Sequence, residues 1–215
     1  MVRRMSRSGL ILDKLLLGPL MLIVSSGLAA QTAPAPQGFQ NIDEGLATLQ
    51  SKDDKEAFKK FIDYHVIVRP HPDPKIENFI QRAEGGDIDS FALIAFYTWS
   101  GFADFRHDVI AGKFGLMRVQ SEGSAAGAYF MGRTFFIALS NRPSGPITDA
   151  EISDYIAGLR WLGLAAGMGE SRAYDEAMRN IDGGRATGEL RQKMMATFNG
   201  AMEDGVKERK KHPLP

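Results

Sequence analysis

The segment that most strongly indicates the fold is Gly158–Tyr174, which reads G-L-R-W-L-G-L-A-A-G-M-G-E-S-R-A-Y. Most of it has the character of a helix, although much of it is Gly or Ala. Gly costs about 1 kcal/mol relative to Ala in a helix interior, so Gly158 and Gly163 need a compensating contact. Antiparallel helices approach closely only where side chains are small, while large residues such as Trp161 fill the space alongside. The segment therefore predicts a tightly packed helix that Gly169 closes with a positive φ.

Similar phrases recur upstream of this segment. A-E-G-G, Q-S-E-G and A-G-M-G end at Gly86, Gly123 and Gly169, which are 37 and 46 residues apart. Counted from each of these glycines, the fourth residue is small (Ser90, Gly127 and Ala173), and so is the fifteenth (Gly101, Ala138 and Gly184). The eighth residue is apolar (Ile94, Met131 and Ala177). Periods of this length are typical of solenoids built from helix pairs. The alternative is one irregular helical bundle whose small residues serve unrelated contacts.

The N-terminus has the pattern of a secretory signal peptide over residues 1–30. Arg3, Arg4, Arg7 and Lys14 precede an uncharged run from Leu15 to Ala30 that ends in small residues. This run is shorter than the about 20 apolar residues that span a membrane. We therefore expect a periplasmic or secreted protein without stable membrane insertion once the leader is removed. The alternative is an inner-membrane protein anchored by an uncleaved leader.

The rest of the chain divides by composition. Residues 31–38 are rich in Pro and small residues and predict a disordered spacer. An N-terminal helical cap is expected over 39–74, repeats over 75–184, and a C-terminal capping helix with a polar tail over 185–215. The predicted helices are Gln40–Gln50, Asp54–Val66 with Asp53 as N-cap, Lys75–Glu84, Ile88–Trp99, one ending near Glu122, Ser124–Leu139, Asp149–Ala166, Ser171–Ile181 and Thr187 to about Lys207.

Composition excludes several classes of function. The chain has no cysteine, which excludes a disulfide framework, cysteine-ligated zinc and a thiol nucleophile. Residues 1–30 hold four basic residues and one acidic residue, so the 26 basic and 26 acidic residues of the whole chain become 22 and 25 without them. The resulting net charge of −3 gives no electrostatic reason to expect nucleic acid as a partner.

The phrase from Leu159 to Ala173 closely resembles the Sel1-like repeat, a relative of the tetratricopeptide repeat. The residues that carry the resemblance are Trp161, Ala165, Ala166, Gly169, Ser171 and Ala173, while Leu162 replaces the usual second aromatic residue. The resemblance implies a short right-handed α-solenoid of antiparallel helix pairs with helical caps. It also implies a non-enzymatic adaptor or scaffold that binds a protein or peptide, as members of this family do.

The resemblance further implies that the first helix of each pair lines a concave groove. The residues that would then contact the partner are Phe96, Trp99, Tyr129, Arg133, Phe136 and Arg179. Aromatic residues and Arg are the types that dominate interface energetics. The alternative is that the aromatic side chains are core and the two arginines are ordinary solvated charges.

The sequence contains no recognisable set of catalytic residues. Neither H-E-x-x-H nor a calcium-binding loop is present, and no G-x-S-x-G nucleophile elbow occurs. We therefore expect no catalytic residue, no metal site and no cofactor. The alternative is an envelope hydrolase or metal-dependent enzyme that uses a His/carboxylate cluster. Its histidines would be His65, His71 and His107, which would have to converge with carboxylates in one cleft.

Overall fold

The computed structural model describes residues 54–102, 104–142, 147–183, 186 and 188–212, all within one compact unit. These residues form eight α-helices, which confirms the predicted all-α class. The helices are α1 (Asp54–His65), α2 (Pro74–Glu84), α3 (Ile88–Ser100), α4 (Val109–Ser121), α5 (Ala125–Ser140), α6 (Asp149–Met168), α7 (Ser171–Asp182) and α8 (Gly188–Lys211). The β-pairing of the described residues consists of one isolated antiparallel bridge between Val66 and Phe105.

Side-chain caps explain where most of these helices begin. The residues that cap α2 to α7 are Asp73, Asp87, Asp108, Ser124, Thr148 and Glu170, each accepting a hydrogen bond from the first turn. At α6, Thr148 and Glu151 form a reciprocal capping box. Gly169 follows α6 with φ 109° and accordingly closes that helix as predicted.

Consecutive helices pack against each other along the chain. Each of α1 to α6 contacts the next helix, and α1 and α5 also contact α3. The pattern changes at the C-terminal end, where α7 touches α8 only slightly and α8 makes the most extensive helix contact of the described chain with α6. The buried side chains of all eight helices form one apolar cluster, which runs from Phe58 in α1 to Phe198 in α8.

The glycines of α6 lie at helix contacts, as the sequence predicts. A Cβ on Gly158 would lie 2.7 Å from the Phe136 ring of α5, and one on Gly163 would lie 2.5 Å from the Phe198 carbonyl oxygen of α8. The two glycines therefore serve two different neighbours. Close backbone approach is what offsets their low helix propensity.

Observed helix ends lie within two residues of the predicted ends, with one exception. The last helix continues to Lys211 rather than ending near Lys207. Ion pairs from Lys207 to Asp204 and from Lys211 to Glu208, together with a basic last turn, stabilise this extension.

Other predictions concern residues that the structure does not describe. The leader, the spacer, the helix Gln40–Gln50 and the N-cap Asp53 all lie outside the described residues. None of the described helices combines the length and the apolar character that a membrane span requires.

Candidate functional site

Arg133 lies where side chains of α3, α5 and α7 come together. It belongs to α5, and its Nε atom lies 3.3 Å from Oε1 of Glu176 on α7. Its guanidinium carbon is 5.4 Å from the ring centroid of Phe96 on α3 and 5.9 Å from that of Tyr129. Arg133 thus links α3, α5 and α7. We call Arg133, Phe96, Tyr129, Glu176 and Arg172 together the Arg133 junction.

Glu176 holds the junction from the α7 side. Tyr129 donates a hydrogen bond from its hydroxyl group to Oε2 of Glu176 at 2.8 Å. Burial raises the pKa of Tyr129, and the hydrogen bond to Glu176 and the charge of that carboxylate raise it further. The phenol therefore stays protonated and continues to donate its hydrogen bond.

Arg172 covers the same aromatic surface from the other side of the junction. Its guanidinium carbon is 4.7 Å from the ring centroid of Tyr129 and 5.8 Å from that of Phe130. Nε and Nη2 of Arg172 donate hydrogen bonds of 2.8 and 2.7 Å to the carboxylate of Glu170, which orients the guanidinium group. Two guanidinium groups therefore stack on the same layer of aromatic rings.

Arg133 and Arg172 both reach the surface, whereas the aromatic rings lie beneath them. The Arg133 side chain is 36% exposed, although its Nε atom is buried and not aligned for a hydrogen bond with Glu176 despite their 3.3 Å separation. This contact is an ion pair rather than a hydrogen bond. The terminal nitrogens of Arg133 are the donors that a partner would meet.

The structure brings together three of the six residues predicted to bind a partner. Phe96 and Tyr129 are only 8% and 5% exposed. Both are therefore core residues, which was the alternative to partner binding. Trp99 is partly buried and stacks on Phe96 with ring centroids 5.7 Å apart. It therefore borders the Arg133 junction without belonging to it.

Phe136 and Arg179 lie away from the junction. Phe136 is 6% exposed and packs against Tyr155 and Gly158 of α6, so it is a core residue that faces a second helix. Arg179 is exposed and contacts the Asp175 carbonyl oxygen of its own helix. Partner binding by the six residues stays a prediction.

Two residues of the junction were absent from the sequence prediction. Arg172 and Glu176 are four positions apart in α7, a spacing that places both on one helix face. That spacing is visible in the sequence, but it says nothing of which helix the face meets. Only the packing of α7 beside α5 shows that these charges meet Tyr129 and Arg133.

The histidines do not assemble a metal site within the described residues. No group of three His, Asp or Glu side chains there could hold a metal ion. His65 and His71 are buried, and their Nε2 atoms each lie 3.8 Å from one carboxylate, that of Asp108 and Asp104 respectively. His107 is exposed. The two buried histidines therefore lie beside carboxylates of the loop between α3 and α4.

No protein-family model, no curated protein and no solved structure matches the chain. The resemblance to the Sel1-like repeat therefore rests on the residues of the chain itself. One fold supports many functions, so function depends on the geometry of the site.

Proposed function

We propose that the protein is an exported, non-enzymatic adaptor built as a Sel1-like solenoid, and that it binds a protein or peptide. The binding surface is the one formed by α3, α5 and α7, the first helices of the three predicted pairs. Binding depends on complementarity to a preformed surface and requires neither catalysis nor a cofactor.

The Arg133 junction is the observation that supports this proposal most directly. Its side chains come from three helices that are separated in sequence, with Phe96 in α3, Tyr129 in α5 and Glu176 in α7. Stacking of repeats places first helices side by side in this way. The contacts also hold the surface in one conformation before a partner arrives, which lowers the entropic cost of binding.

The chemistry of the surface suits a peptide or protein partner. Arg133, Arg172 and Arg179 supply hydrogen-bond donors, and Trp99 supplies a partly exposed aromatic edge. Arginines stacked on aromatic rings lose little conformational freedom when they bind a partner. Acidic side chains lie among these cations, so the surface is not a uniformly charged patch of the kind that binds nucleic acid.

Affinity capture from an envelope extract tests the proposal. We compare the full chain with the double variant Arg133→Gln plus Arg179→Glu on the first-helix surface. The matched control is Arg160→Gln plus Lys193→Glu, which makes the same change of net charge at exposed positions of α6 and α8. Circular dichroism of each variant checks that it remains helical.

We expect the full chain and the control to retain the same partner. The first-helix variant should bind it at least about tenfold more weakly, which corresponds to 1.4 kcal/mol. Equal loss of the partner by both variants would mean that the partner binds elsewhere, or that the loss is a nonspecific effect of the change in net charge. Failure of all three proteins to capture a partner would contradict the adaptor function.

A further inference from the structure

The guanidinium group of Arg133 is fixed along one edge and over two rings. Its Nε atom is buried and lies 3.3 Å from Oε1 of Glu176. The guanidinium carbon lies over the rings of Phe96 and Tyr129, 5.4 and 5.9 Å from their centroids. A group held in this way has little conformational freedom left to lose when it binds a ligand.

The two Nη atoms of Arg133 are free to donate to a ligand. Within the described part of the chain, neither Nη atom donates a hydrogen bond or joins an ion pair. Nε is the buried nitrogen of this side chain that lacks a hydrogen bond, and the Nη atoms reach solvent. The two Nη atoms of a guanidinium group present parallel N–H donors, and this geometry matches the two oxygens of a carboxylate.

A row of stacked rings leads from Arg133 to the surface. Phe96 stacks on Phe130 with ring centroids 4.8 Å apart, and Trp99 stacks on Phe96 at 5.7 Å. Phe96 and Phe130 are buried, whereas Trp99 is only partly buried. Trp99 is therefore the accessible end of the row. An indole ring in this position suits an apolar group of the ligand.

The charges of the junction favour a ligand with a single negative charge. Glu170 accepts two hydrogen bonds from Arg172, and Glu176 lies against Arg133. Two carboxylates thus balance two guanidinium groups. A carboxylate brings one charge to this neutral set, whereas a phosphate group brings nearly two. Directional hydrogen bonds rather than net charge therefore select the ligand.

The surface offers side-chain donors rather than backbone donors. Phe96, Tyr129 and Arg133 all lie beyond the first turn of α3 or α5, where the backbone amides bond within the helix. Capture of a chain terminus generally uses free backbone amides. The carboxylate of an Asp or Glu side chain is consequently the ligand that suits this surface.

We propose that the Arg133 junction recognises an acidic side chain of the partner, and that an apolar neighbour of this side chain covers Trp99. The carboxylate accepts a hydrogen bond from each Nη atom of Arg133. Glu176 contributes from within the protein, because it holds the Nε edge and leaves the Nη edge facing outward. This inference rests on the adaptor function proposed above, and it narrows the partner to a protein or peptide with an exposed acidic and apolar pair.

Matched dipeptides test this recognition without knowledge of the partner. We titrate the full chain with N-acetyl-Glu-Leu-amide and with N-acetyl-Gln-Leu-amide, in which an amide replaces the side-chain carboxylate. A third probe, N-acetyl-Gln-Leu with a free C-terminus, places the carboxylate at the chain end instead. The indole N–H signal of Trp99 in NMR spectra reports binding. Trp161, the second of the two tryptophans in the chain, provides the internal reference.

We expect the Glu dipeptide to shift the Trp99 signal, and to bind about three- to tenfold more tightly than the Gln dipeptide, as for a bidentate but partly exposed ion pair. The dipeptide with the free C-terminus should bind no better than its amide. Arg133→Gln should abolish the preference for Glu. Arg133→Lys keeps the charge but not the parallel donors, and it should lose most of the preference. Arg179→Gln, which removes a different exposed arginine, should retain it.

Failure of the Glu dipeptide to bind, or equal affinity for the Glu and Gln dipeptides, would overturn this recognition. Tighter binding of the free C-terminus, or a preference for Glu that survives Arg133→Gln, would overturn it as well. Affinity capture decides the adaptor function separately. A partner captured by a chain that does not discriminate the dipeptides would contradict acidic recognition alone. Discrimination that depends on Arg133, with no partner captured, would contradict the adaptor function alone.

Discussion

At the scale of single residues, the described glycines with the least room for a side chain lie where α6 crosses α8. A Cβ on Gly167 would lie 2.0 Å from the Met202 carbonyl oxygen, and one on Gly205 would lie 2.2 Å from that of Leu164. Both distances are far shorter than any van der Waals contact. The crossing is therefore possible only because both positions lack a side chain.

Two alanine substitutions within α8 test this explanation. Gly205→Ala should lower the free energy of unfolding by about 1–3 kcal/mol, because the new methyl group forces the helices apart. Gly200→Ala should raise it by about 0.5–1 kcal/mol, because Gly200 has no neighbour within 4 Å of a Cβ and Ala is the better helix former. Urea unfolding followed by circular dichroism measures both changes. Equal effects of the two substitutions would contradict the close crossing.

At the scale of helices, side chains rather than backbones join α7 to α5. Glu176 contacts both Tyr129 and Arg133 of α5, and the remaining buried surface of α7 consists of small or aliphatic residues such as Ala173, Ala177 and Ile181. The carboxylate of Glu176 and the guanidinium group of Arg172 thus make the polar part of this helix contact within the described chain.

Glu176→Gln tests the role of this carboxylate. Removing the charge should lower the pKa of Tyr129 toward its ordinary value, because the hydrogen bond to a carboxylate and its Coulomb effect disappear while burial persists. The free energy of unfolding should fall by about 1–3 kcal/mol. Absorbance titration of the tyrosines, with Tyr129→Phe to assign the signal, measures the pKa.

The exposed Asp175 of the same helix supplies the control. Asp175→Asn removes an equal charge one position away and should leave the pKa of Tyr129 nearly unchanged. A similar response to both substitutions would mean that Glu176 acts through long-range charge alone.

At the scale of the whole molecule, α8 closes the apolar core against α6. Met194 and Phe198 of α8 are fully buried, and they belong to the same cluster as Leu159 and Leu162 of α6. In a solenoid each unit contacts only its neighbours. Here the last helix covers α6, which lies two positions earlier in the chain and belongs to the neighbouring predicted pair.

A chain that ends at Gly183 should therefore lose cooperative unfolding. Burying Met194 and Phe198 contributes about 3–6 kcal/mol, a large part of the about 5–15 kcal/mol that stabilises a domain. Calorimetry of the truncated and complete chains would show this as loss of a single sharp transition. A truncated chain with a sharp transition at a similar temperature would indicate that α8 is dispensable.

The amino-acid sequence is enough to predict the all-α class, the ends of most helices and the small residues at their contacts. These features depend on interactions within a few residues: capping side chains, a closing Gly such as Gly169, and the spacing of apolar positions. Such interactions are the same wherever the helix finally packs. This is why Gly158 and Gly163 could be assigned to helix contacts before their partners were known.

Which neighbour each helix surface contacts becomes known only from the packing of the helices. The segment around Phe96 is apolar on nearly all sides, so its sequence does not distinguish core from groove. The contacts of Arg133 with Glu176 and of His65 with Asp108 join residues 43 positions apart in the chain. Burial and ionic contacts of this kind depend on which helices lie side by side, and local propensity carries no information about that arrangement.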